Sequence, residues 1–489
     1  MTDVETFIDS AMWHGGLERA NAMLTADPSL AARSIFTAAI LGDDESVRRF
    51  LAADPGAATA VGGPHGATAL VYLCFSNYLR LEPTRTPAFV SAATALLNAG
   101  ADPNGGFRST GDFPSWESAI YGAAGVAHNA ALTQLLLDRG ADPNDDETPY
   151  HAPETYDNAA LRVLVESGKL TAESLSMMLL RKTDWHDYDG IAWLLARGID
   201  PNAMTRWGKT ALHNAMLSDN DLAIVELLLD RGADPTRIAD RPERGSPAPG
   251  HRSAFAIAAR RGRGDALEAF ERRGFVHDLH GLESLLAACA RHQRGKAEEI
   301  AAADPGLRNE LATDGGRFLA AFAGVDNTEG VRMLLDLGVP VTALFVEGEG
   351  YFDVAPNSLA IHVAAWRASH ATVRLLIERG SPVNVLDGRG RSPLMLAVRA
   401  CVDSYWTRRR KPDSVKALLD AGAGIEGVIF PSGYAEVDEL LRQKGSRSAN
   451  ASAERAARLK ACATLAPSGC RSISSTVAQE QSFSCSAGL

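Results

Sequence analysis

Leu96–Asn104 reads LLNAGADPN, and the phrase returns as LLLDRGADPN over Leu135–Asn144, LLARGIDPN over Leu194–Asn202 and LLLDRGADPT over Leu227–Thr236. Weaker copies are FERRGF (Phe270–Phe275), LLDLGVP (Leu334–Pro340), LLIERGSPVN (Leu375–Asn384) and LLDAGAGIEG (Leu418–Gly427). The marker glycines Gly100, Gly140, Gly198, Gly232, Gly274, Gly338, Gly380 and Gly422 lie 34, 40 or 42 residues apart, except for gaps of 58 and 64. The first gap divides at Gly168, and the second hides one degenerate unit. Length alone would divide 489 residues into three domains. Self-similarity at this period instead means one array of small units that bury their apolar faces only by stacking.

Upstream of each glycine runs an apolar stripe of helical period, as in Leu222, Val225, Leu228 and Leu229, so the glycine falls where a helix ends in a left-handed cap. A second, shorter helix precedes it. GKTALHNAM (Gly208–Met216) opens that helix, with Thr210 placed to cap its N-terminal amides and Leu212 and Ala215 facing inward. GATAL (Gly66–Leu70), LAIHVAA (Leu359–Ala365) and RSPLMLAV (Arg391–Val398) are related openings.

These phrases resemble the ankyrin repeat family, whose unit is a β-turn finger followed by two antiparallel helices. The resemblance is strongest from Leu96 to Thr236, and His213 and His362 alone keep the family's histidine. Helix pairs at Ala11–Pro28 and Ala38–Pro55 end in ADP without the glycine, as does Ala303–Pro305. The expected fold is an all-α-dominated repeat solenoid of about twelve ankyrin-like helix pairs with β-turn fingers over 1–444, clearest at 90–240 and 355–425. The tail, 445–489, is rich in Ser and Ala, has Phe483 as its one aromatic residue and carries five Lys or Arg against two Glu, so it is expected to be disordered apart from a short helix over Ala453–Ala463.

Hydrophobic residues at 46% can form a core, and a net charge of −11 denies the chain the bulk positive field of a nucleic-acid binder. Six cysteines without a CxxC pair form neither a disulfide framework nor a zinc pattern, and the tail's Cys462, Cys470 and Cys485 are read as free thiols. The start MTDVETFIDS is acidic where a secretory signal is basic, and no run of 18 apolar residues occurs. A cytoplasmic monomer without a membrane span is expected, and the Ala, Gly and Arg richness is that of a GC-rich bacterial genome.

Motifs of catalysis are missing. Gly208-Lys209-Thr210 resembles the end of a phosphate loop, but Ala203 stands where its first glycine belongs. No HExxH, GxSxG or GxGxxG occurs. Asp184, His186, Asp187 and Asp189 crowd one loop and His277 and His280 lie three apart, yet a charged turn and surface residues account for them better than metal ligation. No catalytic residue, cofactor or metal is expected.

Insertions carry more information, because a stacked array tolerates them only in loops. The compact finger spans 10 residues from Asp200 to Thr210, against 16 from Asp102 to Ser118, 19 from Asp234 to Ser253 and 19 from Pro340 to Leu359. The family resemblance implies that fingers and first helices line a concave face that meets partner proteins. It thereby places Phe107, Phe113 and Trp116 on the first long finger, Arg237, Arg241, Arg244 and Arg252 on the second, and Phe345, Tyr351 and Phe352 with Glu347, Glu349 and Asp353 on the third. Arg206 and Trp207 tip the compact finger. Exposed aromatics and arginines are the substance of binding hot spots. The alternative is that each aromatic folds back onto its own repeat.

Two further insertions, Leu73–Ala93 and Ala397–Val415, fall between the helices of a unit. The second holds Tyr405, Trp406, Arg408, Arg409, Arg410 and Lys411, which could grip phosphates, although a solvated loop is favoured. The expected function is a non-enzymatic protein-interaction scaffold. The alternatives are phosphate or nucleic-acid contact through Tyr405–Lys411, or an enzyme whose site is invisible in sequence.

Overall fold

The computed structural model describes residues 2–13, 15–110, 114–240, 252–404 and 407–445. Phe113, Arg241, Arg244, Tyr405, Trp406 and the tail from residue 446 lie outside the described residues.

Among the described residues, twelve helix pairs follow one another. They are Asp3–Ser10 with Glu18–Ala26, Ile35–Ile40 with Asp44–Ala53, Ala69–Cys74 with Thr86–Asn98, and Ala119–Tyr121 (continued by Gly122–Val126) with Ala130–Asp138. Units five to eight are Glu147–His151 with Ala159–Glu166, Ala172–Asp184 with Tyr188–Ala196, Ala211–Leu217 with Leu222–Asp230, and Ala254–Arg260 with Gly264–Arg272. Units nine to twelve are Gly281–Ala290 with Arg294–Ala303, Gly306–Gly324 with Thr328–Asp336, Ala360–Trp366 with His370–Glu378, and Pro393–Asp403 with Asp413–Asp420. Residues 435–445 are helical after them. Two-stranded fingers precede units three, four and eleven, pairing Val61–Gly62 with Ala67–Thr68, Gly106–Arg108 with Trp116–Ser118, and Leu344–Phe345 with Ser358–Leu359.

Local chemistry explains the repeated phrase. All eight marker glycines, and Gly168, have φ between +67° and +106°, the left-handed cap that ends the second helix. The aspartate of each ADPN accepts the amide of the residue two further on, Asp102 from Asn104 at 2.9 Å and Asp200 from Asn202 at 2.9 Å. The asparagine then joins units: Asn202 accepts the amide of Asp234 at 2.8 Å and donates to the carbonyl of Gly232 at 2.7 Å. Asn104 does the same with Asp142 and Gly140, and Asn384 with Gly424 and Gly422. At the first helix, Thr210 accepts the His213 amide while the His213 ring reaches the carbonyl of Arg237 at 2.9 Å in the next finger. His362 repeats this with Val385 at 3.1 Å. Burial holds both rings below the usual histidine range, so they act as neutral bridges.

Neighbours stack through first helices, Ala172–Asp184 on Ala211–Leu217 and Gly306–Gly324 on Ala360–Trp366. The apolar faces merge into one core running from Phe7 to Leu441.

The stack of units is bent at unit ten. Asn327 in unit ten donates to the carbonyls of both Gly262 in unit eight and Ala290 in unit nine, at 2.8 and 2.9 Å. A Cβ on Gly262 would stand 2.6 Å from the Phe322 ring, so only glycine lets unit ten approach this closely. The helix Thr328–Asp336 accordingly packs on Gly281–Ala290, the first helix of unit nine. Pinched at this edge, the array bends until the turn of unit seven touches that of unit eleven: Asp219 accepts from Arg367 at 3.0 Å.

Candidate functional site

The enlarged fingers divide into buried and exposed residues. Phe107 and Phe352, expected to meet a partner, are 4% and 6% exposed. Strand alternation turns Phe107 inward against Trp13, His65 and Phe75, with centroids at 5.9, 4.9 and 5.4 Å. Phe352 lies beneath Arg367, whose guanidinium carbon is 4.1 Å from the ring centre, and its carbonyl accepts the Trp366 indole N–H at 2.7 Å. Phe107 belongs to the continuous core, and Phe352 to a small separate cluster with Ala320, Val354 and Val363. Trp116, 45% exposed, and Tyr351, 47% exposed, remain on the surface. Phe345 is half-buried and packs against Phe352 and Val354.

Much of the third finger is engaged by the array itself. Tyr351 donates to the carbonyl of Asp184 in unit six at 2.6 Å. Glu349 accepts from Arg261 at 3.1 Å, Glu347 from Arg317, and Asp353 from Arg389, Arg391 and Arg399. Burial pushes the Glu349 carboxyl up, while Arg399 and Arg391 outweigh the burial of Asp353 and hold its carboxyl low. On the second finger, Arg237 is exposed and Arg252 lies 3.8 Å from Glu283.

A polar and aromatic face lies between the fingers of units four to seven. Arg206 pairs with Asp146 at the tip of the compact finger. Trp207 stands edge-on to Tyr150 at 5.4 Å, and Tyr150 carries the Arg181 guanidinium 4.0 Å above its ring. Arg181 also pairs with Glu154 and Asp184. His151 sits between Glu147 at 3.2 Å and Glu154 at 2.9 Å. Burial works against its charge, but these two carboxylates carry it up to about 9. Glu117, 2% exposed, accepts from Ser115 at 2.6 Å, and burial raises its carboxyl. Asp145 is likewise raised by burial. Six carboxylates (Glu117, Asp145, Asp146, Glu147, Glu154, Asp184) thus face three cations. The sequence reading found Arg206 and Trp207 but missed Tyr150, His151 and Arg181. The i,i+4 spacing of Glu147 and His151 was the available signal.

The other candidate sites have structural occupations. Asp184 takes Arg181, Asn214 and Ser218, while Asp187 caps Gly190 and binds Lys182 at 2.8 Å. No cluster of three metal-ligating side chains occurs among the described residues. The His277 ring stacks on Phe255, and His280 pairs with Asp278. Thr210 caps its helix, as expected. The basic loop also departs from a free cationic patch: Arg410 donates twice to the Ser404 carbonyl and Arg408 pairs with Asp221 of unit seven.

Helix pairs joined edge to edge by asparagine-stitched fingers and closed by left-handed glycines define a helical repeat solenoid. The chain contains ankyrin repeats: residues 178–229 match the family model described as ankyrin repeats in many copies. Over 239 residues it is 27% identical to the E3 ubiquitin-protein ligase KEG of Arabidopsis thaliana, an alignment covering 45% of this chain and 14% of that protein. Among solved structures, the human ASB11 ankyrin repeat domain covers 50% of this chain and 96% of its own at 19% identity, with a TM-score of 0.22. The ankyrin repeat domain of Bcl-3 covers 49% and 97% at 17% identity, also with a TM-score of 0.22. No helix among the described residues is long and apolar enough to cross a membrane.

Proposed function

We propose that the chain is a non-enzymatic scaffold that binds a partner protein through the finger and first-helix face of units four to seven. The observation that carries this reading is the surface formed by Trp116, Arg206, Trp207 and Tyr150, where partly exposed aromatics stand among carboxylates. Ankyrin repeats generally serve protein–protein interaction, and aromatic residues with arginine concentrate binding energy at interfaces. Tyr351 borders this face through its bond to Asp184. Three buried free thiols, Cys74, Cys289 and Cys401, support a reducing cytoplasmic setting. One array over 1–444 acting as a monomer, followed by the tail, is part of the same reading.

The test is affinity capture from source lysate with the full chain and with a Trp116→Ala, Trp207→Ala, Tyr351→Ala variant whose unfolding is unchanged. A protein retained by the first and lost by the second is expected. Equal capture by both overturns the assigned face, and capture by neither overturns the scaffold.

A further inference from the structure

Each of the twelve units pairs a first helix with a second, but residues 435–445 form a first helix that has no second among the described residues. This helix follows the Gly422 cap and its loop, as first helices do, and its Val437 and Leu441 are buried in the common core. Beside it opens a groove of about 280 Å³, lined by Ile425, Val428, Phe430, Leu441 and Arg442. Four of these five residues are apolar, and Phe430 is 55% exposed. The terminal unit of a solenoid needs a polar outer face, so an apolar groove at the last turn marks a missing layer.

The chain continuing from this helix supplies a layer that fits. Second helices of the array are 8–13 residues long and start after linkers of three to eleven residues. The helix expected over Ala453–Ala463 has eleven residues and follows a linker of seven, 446–452, the linker length of unit five. Its Ala456, Leu459 and Ala463 recur on one helical face. An alanine-rich second helix has a precedent in unit nine, where Arg294–Ala303 has Ile300 as its one large apolar residue and buries Ala297 and Ala301. Charge matches as well. The loop and helix that form the groove carry Glu426, Glu436, Asp438 and Glu439 against Arg442 and Lys444, whereas 453–463 carries Arg455, Arg458 and Lys460 against Glu454.

We propose that residues 453–463 dock in this groove as the second helix of a thirteenth unit that caps the array. Leu459 enters the groove beside Val428 and Phe430, while Ala456 and Ala463 let the helix approach closely and the three cations meet the acidic rim. Docking carries the array past residue 444 and does not depend on the partner face of units four to seven.

The test is hydrogen–deuterium exchange of the full chain, read by mass spectrometry over residues 453–463. An isolated helix this short is marginal in water, so its amides are slowed only where it is docked. Wild type is expected to show protection of roughly tenfold or more that does not change on dilution. Leu459→Gln should abolish it, whereas Ala457→Gln, on the opposite side of the helix, should leave it. Phe430→Gln should also abolish it, and because this residue lies outside the segment, its variant separates docking from intrinsic helicity. Exchange over units one to twelve should be the same in all three variants, which shows that the array remains folded. Absent protection in wild type, protection that falls on dilution (a second copy as the occupant) or protection that survives Phe430→Gln overturns the proposal.

Discussion

Asp219 and Arg367 meet at 3.0 Å although 148 residues separate them. Stacked helices sit about 10 Å apart, so four steps of a straight array would hold units seven and eleven roughly 40 Å from each other. Asp219 also takes two bonds from Arg261, at 2.6 and 2.7 Å, and has φ +50°. Its three donor bonds come from units eight and eleven, which makes it the clasp of the bend.

Asp219→Asn retains the backbone preference and removes the charge. Taking one partner from a buried ionic group costs about 3–5 kcal/mol, so Tm should fall and the radius of gyration in small-angle scattering should rise. Arg367→Met should do less damage, because Arg261 still occupies Asp219. Unchanged Tm and scattering in Asp219→Asn would refute the clasp.

Gly262 and Gly380 separate strain from crowding. Both have positive φ, +74° and +83°, but a Cβ at Gly380 meets nothing within 4 Å whereas at Gly262 it meets Phe322. Gly380→Ala should cost the backbone penalty of about 1–2 kcal/mol. Gly262→Ala should cost a further 1–3 kcal/mol or so as Phe322 is displaced. Denaturant midpoints measure the difference, and equal losses would show that unit ten does not lean on Gly262.

Phe107→Ala opens the cluster formed with Trp13, His65 and Phe75 and should destabilise the fold by about 3–5 kcal/mol. Trp116→Ala, nine residues further along the same finger, should stay within about 0.5 kcal/mol of wild type in denaturant unfolding. Similar losses at both positions would mean that Trp116 is part of the core and not of a binding face.

His151 gives the stability a pH signature. Its pKa is about 9 in the fold and 6.5 ordinarily, so its contribution is complete below pH 6.5 and disappears as pH rises through 9. The loss attributable to this ring is at most about 3 kcal/mol. Unfolding midpoints between pH 6 and 10 should slope downward in wild type and flatten in His151→Gln. The same slope in both would assign the titration elsewhere.

How far the sequence could be read follows the range of the interactions involved. The glycine caps, the Thr210 cap and the helix pairs depend on residues within a few positions of one another, and those bonds stand where the periodicity placed them. The Asn104, Asn202 and Asn384 ladder was visible as a repeated letter, though its role as a stitch between fingers needed a neighbouring unit to bond to. At the candidate face, the compact finger gave up Arg206 and Trp207, while Tyr150 and Arg181 meet only because units five and six stack. Long fingers were the least legible part. Whether Phe107 or Trp116 faces water depends on the phase of a strand only three residues long.

The sequence by itself determined the repeating unit, because turn, cap and helix are set by short-range bonds that each phrase carries with it. Tertiary structure alone decided the bend, the burial of Phe107 and Phe352 and the meeting of Asp219 with Arg367. Small differences in how adjacent units pack, such as the space left at Gly262, add over successive steps. No single repeat records where that sum brings distant turns together.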